Sequence, residues 1–292
     1  MASTREIRRR IRSVKNIAQI TRAQQMVASS KMRRAQERVL SARPYSEQLQ
    51  TLLARLASQV EGDGDLPLMQ SRPVKRAGIV LMTPDRGLAG ALSGNVNRRA
   101  GVLASELRRE AGNAELPISF IAVGRKGRDF LVRTRQNLIA EFTRLGDQPS
   151  QADVRAIAKS VTDAYIAGEV DQVMLVYPKY VSAVTQTPTV LQLLPVQPPA
   201  VQEAAGGSPQ YIFEPDAETI FAELLPRYVE TLIFQPLLET VASFYSAQMV
   251  AMRNATDNAN DLLDDLTLTY NKARQGAITT QILEIVAGSG AL

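Results

Sequence analysis

The chain has 292 residues, a net charge of +5, and neither cysteine nor histidine. This length suits one large domain or two ordinary ones, and the composition is that of a folded protein. The missing residue types exclude disulfides, thiolate zinc sites, Cys or His nucleophiles and imidazole acid–base chemistry, while carboxylate or Lys catalysis stays open.

The start, "MASTREIRRRIRSVKN", is basic but has no apolar h-region behind it, so it does not read as a secretory signal. An Arg-rich, acid-poor start also suits a transit peptide. Here, however, the basic pattern continues past residue 40 at helical spacing and reads as mature structure. Residues 1–60 predict one long coiled-coil helix. From Thr4 to Val60 there is no glycine, and Pro44 is the one proline. Apolar residues recur at helical spacing: Ile7, Ile11, Val14, Ile17 and Ala18, then Val27, Ala35, Val39, Ala42, Leu49, Leu52, Leu53 and Leu56. At about 1.5 Å per residue such a helix is roughly 80 Å long. "EGDGDLP" (61–67) should end it.

Residues 74–212 change character and predict a central Rossmann-like α/β domain. "AGIVLMT" (77–83) is a buried-strand run, followed by a loop and helix in "GLAGALSGNVNRRAGVLASELRREAG". "LPISFIAVG" predicts a strand, "GRDFLVRTR" a helical piece, "NLIAEFT" a short strand and "SQADVRAIAKSVTDAYIAG" an amphipathic helix. More strands follow in "VDQVMLVYPKYVSAVTQTPTVLQLLPV". Alternating β and α segments imply a mainly parallel sheet flanked by helices. "QPPAVQEAAGGSPQ" (197–210) reads as an exposed loop.

Residues 216–292 predict a second coiled-coil helix, antiparallel to the first if the middle folds back on itself. Leu238, Val241, Tyr245, Met249, Met252, Thr256, Ala259, Leu263, Leu266, Tyr270, Ala273 and Ala277 advance in steps of three and four. Small residues at several of these positions allow close approach. Pro226 suits a first turn, and Pro236 predicts a kink. The final stretch, "NKARQGAITTQILEIVAGSGAL", is a helix ending in small, uncharged residues. Such an end would fray unless a partner held it.

Charge is unevenly spread. Residues 1–43 hold twelve Arg or Lys against Glu6 and Glu37, whereas 214–270 hold ten acids against Arg227 and Arg253. The two segments either attract each other or face separate partners. A basic helix also suits nucleic acid, but its charges lie on several faces without interleaved aromatics. "TPDRGLAG" (83–90) sits between strand and helix, where phosphate loops occur, yet matches neither common nucleotide fingerprint. The simpler reading is a tight turn at Pro84 and Gly87, with Asp85 or Thr83 capping and Arg86 tying down a neighbouring loop. Asp257, Asp261, Asp264 and Asp265 crowd one helix; a partner-facing or solvated face suits them better than a cation site, which needs a turning loop.

The strings "REIRRRIRSVKNIAQITRAQQMVASSKMRRAQERVLSARPY", "TPDRGLAGALSGNVN", "YIFEPD" and "MVAMRNATDNANDLLDDLTLTYNKARQGAITTQILEIVAGSGAL" together resemble the gamma subunits of F-type ATP synthases, in their bacterial form. The resemblance implies a non-catalytic central rotor shaft without cofactor or metal. Its coiled coil would stand inside three alpha and three beta subunits, and its foot would rest on the membrane c ring and hold the epsilon subunit. Ion flow through the ring would turn it and drive ATP synthesis or hydrolysis on beta. It would lie at the cytoplasmic face of the cell membrane, associated only through the complex. Carried over by motif, contacts to alpha and beta fall at Gln24, Lys31, Gln248, Arg274, Gln275 and Thr279. Contacts to the c ring and epsilon fall at Tyr211, Phe213 and Glu214. Three positions depart from the family pattern: Phe244 for a usual Glu, Gln248 for a usual Arg, and Ala89 for a frequent Cys. The absence of cysteine rules out the thiol control of the chloroplast form. The resemblance places the uncharged helix end in an apolar collar of alpha and beta.

Overall fold

A computed structural model describes residues 4–57, 66–197 and 216–289. Most of "EGDGDLP", nearly all of the 197–210 loop, Tyr211, Phe213, Glu214 and residues 290–292 lie outside the described residues. Ten elements follow in order: α1 (Thr4–Ala57), β1 (Ala77–Met82), α2 (Leu92–Glu110), β2 (Ile118–Val123), α3 (Arg125–Arg133), β3 (Asn137–Phe142), α4 (Gln151–Ile166), β4 (Gln172–Tyr180), β5 (Gln186–Leu194) and α5 (Ala217–Ser289). The chain forms two compact units. One joins α1 up to Ser30 with α5 from Gln248 onward; the other holds Lys31–Ala247.

The larger unit is built on a five-stranded sheet of order β3-β2-β1-β4-β5. β1 pairs in parallel with β2 and β4, β2 with β3 likewise, and β5 returns antiparallel to β4. β1 is buried along its whole length, because its alternate side chains feed two different cores. Ala77, Ile79 and Leu81 meet Val96, Ala100, Leu103 and Leu107 of α2 and Leu131 of α3. Val80 and Met82 belong to the opposite core, with Ile157 and Val161 of α4. Leu49, Leu53 and Leu56 of α1 and Phe221, Leu225, Val229 and Ile233 of α5 complete that second core. The ends of both long helices therefore form part of the body that carries the sheet.

Local signals explain the boundaries. Ser150 and Asp153 form a reciprocal capping box at the start of α4. Asp216 accepts a hydrogen bond from the Thr219 backbone N–H at 2.8 Å and starts α5 there. Pro226 thus lies well inside α5, not in its first turn as the sequence suggested; the Asp216 cap begins the helix earlier. Pro44 also lies inside its helix, on the exposed side of α1. α5 continues through Pro226 and Pro236.

The α3 N-terminus is filled by the loop after β1. Arg125 N–H donates to Asp85 Oδ1 at 2.9 Å and Gly127 N–H to Thr83 Oγ1 at 2.6 Å. Lys126 N–H donates to the Pro84 carbonyl, and Arg128 N–H closes the first helical bond to Gly124. The close approach needs glycine at 124, which has φ +95°; a Cβ there would lie 1.8 Å from the Thr83 carbonyl oxygen.

In the smaller unit the helices run antiparallel. Arg8 bonds to the Tyr270 hydroxyl and stacks over its ring, while Thr21 and Thr256 hydroxyls meet at 2.7 Å. Numbering rises along one helix as it falls along the other. The buried seam is narrow: Ile7, Ala18 and Ala28 on α1, and Met252, Thr256 and Ala259 on α5. Ile17 and Val27, expected in the seam, are exposed. Ala28 takes the inward place beside Val27, and Ala18 the one beside Ile17, because small side chains let the backbones come together. The seam also ends sooner than its periodicity suggests: Ala273 is half-buried, whereas Ala277 is exposed.

Leu53→Ala should destabilise the larger unit by about 3 kcal/mol in denaturant unfolding, since it empties a fully buried site. Ile17→Ala, on an exposed face of the isolated chain, should change stability by no more than about 0.5 kcal/mol. Gly124→Ala should cost more than about 2 kcal/mol, because both the backbone angle and the Thr83 carbonyl oppose it.

Candidate functional site

The carboxyl ends of β1, β2 and β3 open on a cavity of about 360 Å³, lined among others by Arg86, Arg125, Arg144, Asp147, Phe244 and Tyr245. This is where an open α/β sheet commonly receives a ligand. The N-terminal amides of α3 at this edge of the sheet are already used, however. Thr83, Pro84 and Asp85 accept the first backbone N–H groups of α3, so "TPDRG" works as an internal cap. Arg86 reaches Asp147 at 3.8 Å, which is the tie to a neighbouring loop that the sequence suggested. Leu88, in the same loop, holds a left-handed backbone with its apolar side chain turned to solvent.

The cavity instead marks a junction between the sheet body and the two long helices. Asp147, in the loop from β3 to α4, accepts a hydrogen bond from Lys31 Nζ of α1 at 2.5 Å. Lys31 also donates to the Tyr245 hydroxyl of α5 at 3.4 Å and lies over its ring at 5.3 Å. Burial alone would raise the Asp147 carboxyl; the hydrogen bonds from Lys31 and Tyr245, then the charges of Lys31 and Arg86, outweigh it and hold the group below its ordinary range. Burial, and then Asp147 itself, push the Tyr245 hydroxyl well up.

A second polar junction lies at the end of β4. Tyr180 N–H donates to Glu239 of α5 at 3.4 Å, and the Tyr180 hydroxyl accepts from Gln36 of α1. Ser243 and Ser246 donate to the carbonyls of Pro178 and Ala183 at 2.8 and 2.7 Å. Glu239, Ser243 and Ser246 follow one another at helical spacing, so one polar stripe of α5 grips one sheet corner. Asp147, Tyr180 and Glu239 carried no motif in the sequence. The only hint was polar residues, Glu239, Ser243 and Ser246, inside an otherwise apolar seam.

The residues expected to meet alpha and beta fall in different surroundings. Gln24 sits on α1 in a stripe with Ile17, Ile20 and Val27, all three large, apolar and exposed. Lys31 is engaged by Asp147 and Tyr245. Gln248 is half-buried. Phe244 is buried edge-on against Tyr245. Arg253 pairs with Asp257 at 4.0 Å. Arg274, Gln275 and Thr279 are exposed, and every side chain from Arg274 to Ala287 is exposed as well. That stretch includes Ile278, Ile282, Leu283 and Ile285, the last at 72% exposure. Among the described residues no group of three or more carboxylates gathers as a metal site, and no helix is long and apolar enough to cross a membrane.

Comparison with known proteins places this architecture. The sequence model of the ATP synthase family matches residues 3–292. The chain is 49% identical to the ATP synthase gamma chain of Roseiflexus castenholzii, covering all of this chain and 99% of that protein. It is 50% identical to the gamma chain of Desulfitobacterium hafniense, with both covered in full. Among solved structures, a chain of the Euglena gracilis mitochondrial ATP synthase shares the fold at TM-score 0.63 and 18% identity, over 99% of this chain and 94% of that one. A chain from the central stalk and c-ring of the Tetrahymena thermophila enzyme does so at TM-score 0.61 and 23% identity, over 81% and 99%. With two long terminal helices around a central sheet, and relatives at this identity across their full length, the chain belongs to the ATP synthase gamma-chain family.

Proposed function

We propose that the chain is the central rotor shaft of an F-type ATP synthase, coupling ion-driven rotation of the membrane c ring to ATP synthesis or hydrolysis on the alpha and beta subunits. The observation that carries this reading is the run from Arg274 to Ala287, a continuous helix whose large aliphatic side chains face outward. A helix of that kind depends on packing more than on propensity, so it needs a sleeve of other chains. The Ile17–Ile20–Val27 stripe around Gln24 asks for the same cover on α1.

The chain itself performs no chemistry on ATP in this reading. Its Rossmann-like sheet has the cleft of a nucleotide-binding fold, but the loop after β1 is turned into that cleft and fills the first amides of α3. Three alpha and three beta subunits surround the helix pair, and Gln24, Gln248, Arg274, Gln275 and Thr279 face them. Lys31 stands at the edge of that contact. Tyr211, Phe213 and Glu214 meet the c ring and the epsilon subunit. The complex holds the chain at the cytoplasmic face of the cell membrane. Basic surface on early α1 meets acidic surface of beta, where charge acts across a moving gap without fixing it.

The chain mixed with alpha and beta subunits should form a complex that hydrolyses ATP, while the chain alone should bind no ATP tightly. Stoichiometric ATPase activity in the lone chain would sink the reading. Within the complex, Arg274→Ala with Gln275→Ala should impair ATP-driven ion pumping more than deletion of residues 288–292, which should loosen the bearing but leave rotation. The reverse order would put force transmission at the tip. Gln248→Arg should leave pumping per ATP nearly unchanged, because Arg253 or Arg274 supplies the cation; a marked gain in coupling would show that neither does.

A further inference from the structure

We propose that Asp147 is a positioning residue for coupling: it fixes the rotational setting of the α/β body on the two long helices. The inference rests on the rotor reading above and adds to it the point where torque crosses between body and shaft.

The geometry comes from three chain segments within the larger unit. Asp147 lies in the short connection from β3, which ends at Phe142, to the Ser150 cap of α4. Both ends of this connection are anchored, one in the sheet ladder and the other in a capping box. Arg144 and Gly146 turn it through left-handed backbone, at φ 65° and 73°. A non-glycine residue keeps that conformation only where its surroundings enforce it. The turn brings the Asp147 carboxylate to Lys31 Nζ, and Arg38 of the same helix reaches the Asp147 carbonyl at 3.5 Å. Lys31 and Arg38 are two helical turns apart on one face of α1. Lys31 passes the contact on to Tyr245 of α5, and Arg86 backs the carboxylate from the loop after β1.

Such an arrangement resists motion that an apolar core tolerates. The Leu53, Val229 and Ile233 contacts hold body and helices together, but the hydrophobic effect has no direction. A charge-assisted hydrogen bond has both direction and length. Turning the body about the helices would pull Asp147 away from Lys31 before it opened the core. Both partners are about one-third exposed, so the pair contributes little to folding stability. Its effect should appear when the shaft carries load.

The test uses the complete ATP synthase in vesicles, with Asp147→Asn and Asp147→Glu beside the parent chain. Unloaded ATP hydrolysis and the melting temperature of the complex should match in all three. Ion pumping per ATP against an imposed ion gradient should fall in Asp147→Asn, and Asp147→Glu should restore it. The inference is overturned if Asp147→Asn pumps against the gradient as the parent does. It is overturned equally if hydrolysis, assembly and pumping fall together, which would indicate a merely structural role, or if Asp147→Glu fails to recover pumping that Asn has lost. Failure of the parent chain to support any pumping would instead count against the rotor reading itself.

Discussion

Burial of α5 on almost every side between Pro236 and Ser246 is the constraint on which the larger unit depends. Of these eleven residues only Val241 is not fully buried. Ala35 and Val39 of α1 cover Leu238 and Ala242, and the sheet corner at Pro178–Ala183 covers the polar stripe. A helix enclosed on several faces cannot be amphipathic in the ordinary sense. It is the common wall of α1, the sheet and the β3–α4 loop, and each of these would lose its packing partner without it.

The polar groups on that wall give it a single arrangement. Glu239 is only 7% exposed, and its carboxylate receives the Tyr180 N–H and the Gln235 side-chain amide. Burial, and then the nearby Glu239 charge, push the Tyr177 hydroxyl up to about 12, so it stays neutral throughout the working range. An apolar surface of the same shape would allow sliding by a residue or a turn. Hydrogen bonds to Pro178, Tyr180 and Ala183 at fixed spacing do not, since a shifted register would leave buried polar atoms unsatisfied. Further along α5, Thr256 and Thr267 donate back to the carbonyls four residues earlier, which removes their hydroxyls from competition.

The sequence announced the elements more clearly than their surroundings. β1 was legible because a fully buried strand is an unbroken apolar run, α1 because its interior lacks glycine, and α5 because its apolar and small residues recur in steps of three and four. Ile17 and Val27 misled because helical periodicity alone does not separate an inner stripe from an outer stripe when both are apolar. Pro226 misled because a proline there resembles a first turn, whereas the signal that starts α5 lay in Asp216 and Thr219. Asp147 was invisible. A lone acid in "RLGDQPS" becomes significant only when the fold sets Lys31, more than a hundred positions away in the chain, beside it.

The outward-facing aliphatics from Ile278 to Ile285 have a thermodynamic consequence. This helical stretch gains little apolar burial from its own chain, so much of its stability has to come from molecules that bind it. By mass action its helicity then depends on the concentration of those partners and on their affinity, instead of being a fixed property of the polypeptide. Folding of this stretch and docking become one equilibrium, and the ordering cost is met at the moment of assembly.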